Sequence, residues 1–228
     1  MSLEFSLESR LVDSFIETYQ SFEGQIVVKE LNIRHGNIDV VGIQNVNLPF
    51  TANQIKVLSK PSSAMVFSYL KNRQLLTKVN IQRNIGLSNT SLEGTLAELI
   101  KAELIEKIDS KYLRKEKFEF PKTVITGYEA KLMNFNKAFY QAKNNRHFVD
   151  YSYLVFPESI ADRIYETNRD LLIRNGIGLI GVGKSNSRRL IKANKNNSMK
   201  NYIRLLNLTK SLTYIDDLTG KPSIQVGV

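Results

Sequence analysis

Two side chains of this 228-residue chain, Glu129 and Lys131, have the types and spacing to do chemistry together, and a third, Asp39, would join them in a fold that brought its strand alongside theirs. In "TVITGYEAKLMNF" (residues 123–135), Val124, Ile125 and Tyr128 are strand formers, and Glu129 and Lys131 stand two positions apart. Side chains alternate along a strand, so this acid and this base share a face. Asp39 lies in "GNIDVVGI", inside a second strand-forming run. Two carboxylates brought to about 4–5 Å repel by roughly 3–4 kcal/mol at an effective dielectric near 20. A cation must then sit with them, or one acid must take up a proton. A divalent ion with oxygen ligands meets that need and can hold a phosphate, with the Ala130 carbonyl as a further ligand. Lys131 would orient, or help deprotonate, an attacking water. The plainer alternative is a same-face ion pair on a surface strand, which is worth little.

Composition narrows the chemistry. The chain has no cysteine and two histidines, which excludes disulfides and thiolate sites. An oxygen-ligated Mg²⁺ or Mn²⁺ is therefore the expected metal cofactor. The net charge of +10 is unevenly spread: residues 1–50 carry three basic and seven acidic side chains, and residues 51–117 carry twelve and six. A basic chain with an acidic opening suggests a polyanionic partner, DNA above all, with carboxylates reserved for local work. No apolar run approaches the ~18 residues of a membrane span. "MSLEFSLESRL" has acids where a signal peptide would be basic. The expectation is a cytoplasmic protein with no membrane partner.

The outer parts of the chain supply the elements that would position the three residues. Residues 5–21 place Phe5, Leu7, Leu11, Val12, Phe15, Ile16 and Tyr19 on one helical face. "QIVVKELNI" (25–33) and "NIDVVGIQNV" (37–46) read as strands joined by the turn "RHGN", which contains His35. The strand 123–131 leads to a helix over "NFNKAFYQAKNNRHF", which holds Gln141 and ends near His147. A strand "YSYLVFP", a helix "ESIADRIYETNRDLLIRNG" and a strand "IGLIGVG" follow, then a basic tail ending in a helix.

The middle differs. "NLPFTANQIKVLSKPSS" reads as a connection, and residues 61–117 as three helices and a β-hairpin. Gly86 ends the second helix, Leu87 packs inward, and Ser88 caps the third helix, with Leu92, Leu96 and Leu99 on one face. "VNIQRNIGLSNTSLEGTLAELIKAELIEKI" resembles winged-helix DNA-binding domains. The resemblance implies that Asn89, Thr90, Ser91 and Glu93 face outward at the start of a recognition helix. Lys107, Lys111, Arg114 and Lys115 would then face phosphates from the wing. A protein-contact or dimerisation module is the alternative, and no Arg or Lys precedes Lys101 in that helix.

Without residues 51–117, the order is helix, strand, strand, strand, helix, strand, helix, strand. With "GNIDVVGI" and "GYEAKL", this resembles the restriction-endonuclease-like PD-(D/E)xK nucleases over roughly residues 5 to 183. The resemblance implies an α/β fold: a central mixed β-sheet flanked by helices and interrupted by a winged-helix domain. It implies a metal-dependent endonuclease with Asp39, Glu129 and Lys131 as catalytic residues. Asp39, Glu129 and Ala130 would be the metal ligands. It adds a Glu from the first helix, Glu8 or Glu17. These lie nine residues and so 2.5 turns apart, on opposite faces, and Glu8 matches better. It also adds Gln141, as a bridge between substrate and site. Glu30, across the hairpin from Asp39, is a candidate supporting acid. Relatives often act as homodimers, so a homodimer is expected. In the tail, residues 184–200 hold six basic residues and no acid. Lys184, Arg188, Arg189 and Lys192 would follow a DNA backbone, and a solvated loop is the alternative. The expected domains are residues 1–50 with 118–228, and 51–117. A non-catalytic DNA-binding regulator or a protein-interaction module on a nuclease-like scaffold is the competing reading.

Overall fold

The computed structural model describes residues 5–33, 36–120 and 122–219. It divides into two compact units: residues 1–46 with 123–199, and residues 47–122 with 200–228. His35, in the expected turn, lies outside the described residues.

The first unit is built on a mixed six-stranded sheet. In chain order its elements are α1 (Glu8–Thr18), β1 (Ile26–Ile33), β2 (Gly36–Gln44), β6 (Val124–Ala130), α6 (Phe135–Asn145), β7 (Tyr151–Pro157), α7 (Glu158–Asn175), β8 (Gly178–Val182) and β9 (Ser187–Ile191). The strand order is β1-β2-β6-β7-β8-β9. The central strands β6, β7 and β8 run parallel, and the outer pairings are antiparallel. The parallel strands need crossovers, which α6 and α7 provide. Alternation along β7 sends Tyr153 and Val155 to one face and Leu154 and Phe156 to the other, and both faces are covered. On the first face, Leu11, Phe15 and Tyr19 of α1 pack with Val40, Tyr128, Ala130 and Ile180. On the second, Ala138 and Ala142 of α6 and Ala161, Ile164 and Leu172 of α7 cover Leu154, Phe156 and Leu179. The Thr123 hydroxyl donates to the Asn45 carbonyl at 3.1 Å, so the chain leaves this unit and returns to it at one place.

The second unit holds α2 (Ala52–Leu58), α3 (Pro61–Tyr69), β3 (Leu76–Thr77), α4 (Lys78–Ile85), α5 (Asn89–Lys101), β4 (Ile105–Ile108), β5 (Lys111–Arg114) and α8 (Asn201–Thr219). Its three strands form a small antiparallel sheet in the order β3-β5-β4. The corner between α4 and α5 follows from its residues. Gly86 takes φ 74°, where a side chain would be strained, and Ser88 caps α5 by accepting from the Ser91 amide at 3.2 Å. Leu92, Leu96 and Leu99 are buried on the inner face of α5.

Two expectations are corrected. The stretch read as a connection contains α2, which starts on a capping box of Thr51 and Gln54. That T-x-x-Q signal is visible in the sequence, and two prolines outweighed it. The C-terminal helix α8 does not join the sheet: it packs on α2 and α3, so residues 200–228 group with the middle segment. Its buried Leu205, Leu208 and Leu212 give no sign in the sequence of which core they will join. The basic tail, for which a solvated loop was the alternative to a DNA-following segment, contains a paired strand, β9. No helix among the described residues is long and apolar enough to cross a membrane.

Candidate active site

The end of β6 carries Glu129 and Lys131 into a charged cluster. Antiparallel pairing of β2 with β6 runs from Gln44↔Val124 to Val40↔Tyr128 and goes no further. Beyond that point Asp39 replaces the missing ladder bond, its Oδ2 accepting from the Ala130 amide at 2.8 Å. On its other side β6 stays paired with β7, and the Lys131 amide donates to the Val155 carbonyl at 3.0 Å. The strand end is therefore pinned from both edges, and the gap between β2 and β6 receives the side chains. Across β1, pairing skips Glu30, which lies between Lys29↔Val40 and Leu31↔Ile38 with φ 53° and an exposed side chain.

Lys131 Nζ is the centre of the cluster. It lies 3.0 Å from Glu129 Oε1, 3.2 Å from Asp39 Oδ2 and 3.5 Å from Glu8 Oε2, and it donates to the Ala130 carbonyl at 2.8 Å. Four oxygens from α1, β2 and β6 thus face one cationic point. Lys131 is 6% exposed and Glu129 0%. Glu129 Oε2 accepts from Asn145 Nδ2 at 3.2 Å. Glu129 Oε1 is buried, with the Lys131 ammonium 3.0 Å away and no hydrogen-bond donor besides it.

The electrostatics follow from the geometry. Burial, with the Asp39 charge added, pushes the Glu129 carboxyl up to about 7, against the opposing pull of Lys131. Burial also disfavours the charged Lys131, but Asp39, Glu129 and Glu8 outweigh it and hold its pKa above the ordinary lysine value. One ammonium therefore serves three carboxyl groups.

The donor set suits a hard divalent cation. All candidate ligands are oxygens, and one of them is a buried acceptor with no donor besides the Lys131 ammonium. Among the described residues, no group of three or more His, Cys, Asp or Glu side chains draws together closely enough to cage a metal. The fit is thus to an ion held by two carboxylates and a carbonyl, with water or a phosphate completing the shell, as Mg²⁺ prefers.

Glu8, itself half exposed, reaches the cluster from the start of α1, and Glu17 is exposed and forms no ion pair with Lys131. Gln141 is half-buried with its Oε1 unpartnered. The α6 side chain that reaches Glu129 is Asn145, one turn further along the same face. Sequence reasoning overlooked Asn145, although its i+4 spacing from Gln141 was a usable signal. His147 is exposed just beyond α6.

The candidate DNA-binding residues divide. Asn89, Thr90 and Ser91 are exposed on the first turn of α5, and Lys107 and Lys111 are exposed on the hairpin. Exposed Lys115 is ion-paired to Glu103 at 3.0 Å. Glu93 pairs with Lys78. Arg114 is the clear correction. It is buried, donating to the carbonyls of Phe67, Ser68 and Phe118 and to Asn72 Oδ1 at 3.0–3.2 Å. Its guanidinium packs on the rings of Phe67, Phe118 and Phe120. Strand alternation with buried Tyr112 placed it inward, a period-2 signal that its charge obscured. In the tail, Lys184, Arg188, Arg189 and Lys192 are exposed. Arg188 is held by Asp162 at 2.9 Å and Glu158 at 3.5 Å.

Comparison of the chain with protein-family models, curated proteins and solved structures finds no match.

Proposed function

We propose that the chain is a metal-dependent DNA endonuclease of the PD-(D/E)xK type, in which residues 51–117 form a winged helix that positions it on DNA. The observation that carries this reading is the convergence of Glu8, Asp39, Glu129 and the Ala130 carbonyl on Lys131 Nζ. Residues from three separate stretches meet at a break in strand pairing, with more negative charge than the one lysine balances. An ordinary surface ion pair needs no such surplus.

Asp39, Glu129 and the Ala130 carbonyl would hold Mg²⁺ or Mn²⁺, and Glu8 would support them. When bound, such an ion neutralises phosphate charge and makes a water acidic enough to attack at neutral pH. Lys131 would then offer its ammonium to the attacking water or to the phosphate. Asn145 would hold Glu129 in its ligating orientation, as outer hydrogen bonds do at metal sites. The mixed sheet, with helices on both faces and residues 47–122 inserted between β2 and β6, agrees with the fold this reading requires. A homodimer would bring two such sites to two strands.

The test is nicking of supercoiled DNA with Mg²⁺ or Mn²⁺, run beside Glu129→Ala and Lys131→Ala. Loss of cleavage in both variants, with DNA binding retained, is expected. Cleavage that survives both removes the assignment. One observation favours a second reading: the ammonium already sits among the oxygens. A non-catalytic DNA-binding regulator would keep it there, binding DNA without nicking it and showing no thermal response to Mg²⁺.

A further inference from the structure

The other end of the first unit's sheet carries a groove with a different chemistry. Tyr128 and Tyr153, on adjacent parallel strands, stack at 5.5 Å between ring centroids, and Tyr19 meets Tyr128 edge-on at 6.1 Å. With Tyr151, these rings line a cavity of about 180 Å³ whose remaining walls include Arg189 and Lys192. An adjoining cavity of about 370 Å³ shares Tyr19, Ser21 and Arg189 and extends towards Ser185 and Ser187. A nucleotide-sized ligand needs a cleft of about 300 Å³ or more, which the two together supply.

The lining is selective in charge. Neither cavity is lined by an Asp or a Glu. Arg188 is neutralised by Asp162 and Glu158. The next residue along β9, Arg189, points to the opposite side of the strand and faces tyrosines instead. It lies close enough to the Tyr19 hydroxyl to oppose the upward push that burial gives that group. Arg189 and Lys192 form no ion pair among the described residues. Two unneutralised cations beside tyrosine hydroxyls suit a phosphate dianion, which an Arg can grip through two N–H groups.

The other polar groups suit a base. Gln25 and Gln44 line the same cavity; the Gln25 carboxamide is committed, donating to the Ser21 carbonyl with its Oε1 buried over Gly42, whereas Gln44 is exposed. The Gln44 carboxamide offers both a donor and an acceptor to a base edge. The backbone makes room for the rings: a Cβ at Gly178 would meet the Tyr153 ring at 2.2 Å. Any larger residue there would displace the ring that forms the groove floor.

We infer that this groove binds a phosphorylated nucleotide, with Arg189 and Lys192 on a terminal phosphate and the tyrosine and glutamine wall against the base. The ligand is either a free nucleoside 5′-monophosphate or the 5′-phosphorylated end of a DNA strand. The site is separate from the Lys131 cluster and does not depend on that cluster's function.

The test is equilibrium binding to the full chain in EDTA, so that no strand can be cut by a metal-dependent route. The probes are dAMP, a 5′-phosphorylated oligonucleotide and the same oligonucleotide with a 5′-hydroxyl. The phosphorylated strand is expected to bind about tenfold tighter than the hydroxyl strand. Arg189→Gln should abolish that difference, and Lys143→Gln, the same charge change on α6, should preserve it. Saturable binding of dAMP that Arg189→Gln weakens identifies the free nucleotide as a ligand. Strand-end preference without dAMP binding identifies the DNA terminus. If dAMP does not bind and the two strands bind equally, the inference is overturned. It is also overturned if Lys143→Gln removes the preference as fully as Arg189→Gln.

Discussion

Among the described residues, each unit of this protein buries one long cation, and the two are held in opposite ways. Arg114 is surrounded by neutral acceptors and three aromatic rings, and burial lowers its pKa to about 10. Lys131 is surrounded by three carboxyl groups and a carbonyl, which hold its pKa above the usual value despite its burial. Every guanidinium nitrogen of Arg114 has a partner, and no partner carries an opposing charge. The Lys131 cluster has the reverse balance: its acids outnumber its base, and a buried carboxylate oxygen has no donor besides the shared ammonium. A satisfied buried cation acts as a structural fastener. A site with surplus negative charge is strained without a second cation, and perturbed groups of that kind concentrate where chemistry is done.

The comparison breaks most directly at Lys131. Lys131→Met is expected to lower the rate of Mg²⁺-dependent nicking about 10²–10³-fold while leaving the cooperative unfolding transition in place. An unfolded variant would instead make Lys131 a fastener like Arg114. The converse is Arg114→Met, which takes a donor from the Phe67, Ser68 and Phe118 carbonyls, of which Phe118 keeps Asn72 Nδ2, and should cost about 3 kcal/mol in urea unfolding. Its DNA affinity per folded molecule should keep the same salt dependence. A folded variant with weakened, less salt-sensitive DNA binding would return Arg114 to the phosphates.

Glu129→Gln sharpens the contrast through pH. In the folded state the carboxyl titrates near 7, above its unfolded value of 4.5, so between those values the native state holds more protons. Stability from this group is complete below 4.5 and is lost as pH rises through 7. The neutral variant should therefore be more stable than the parent at pH 8 in EDTA, by on the order of 2 kcal/mol. The gap should close towards pH 5, and a gap that widens on acidification would reverse the argument. Millimolar Mg²⁺ should raise the parent's thermal midpoint by the equivalent of roughly 1–2 kcal/mol through mass action. Asp39→Asn should abolish that rise, and a full rise in Asp39→Asn would place the ion elsewhere. The smallest effect belongs to Asn145→Ala. Loss of its bond to Glu129 Oε2 should weaken Mg²⁺ binding about tenfold, as read from the same midpoint titration.

The region that could be read from the sequence is the one where neighbouring residues set the answer. Strand formers with an E-x-K at their end, the Gly86–Leu87–Ser88 corner and the leucine face of α5 depend on spacing within one turn or one pleat. Expectations failed where partners are far apart in the chain. The charge of Arg114 suggested solvent, but its carbonyl partners at 67, 68 and 118 lie up to 47 residues away. The apolar residues of α8 announce burial without naming the core they join. Asn145 looks like any helix Asn until Glu129 is placed beneath it, and the tyrosines at 19, 128, 151 and 153 read as four separate core or surface aromatics.

By itself, then, the sequence determined most of the element types and the acid-x-lysine pair at the end of β6, because propensity, capping and alternation act over a few residues. Tertiary structure alone decided that β2 and β6 part company beside Asp39. It decided too that Glu8 arrives from the opposite face, and that one arginine of an adjacent pair is neutralised while the other lines a groove. Those outcomes depend on strand register and on distances across the sheet, which no local pattern encodes.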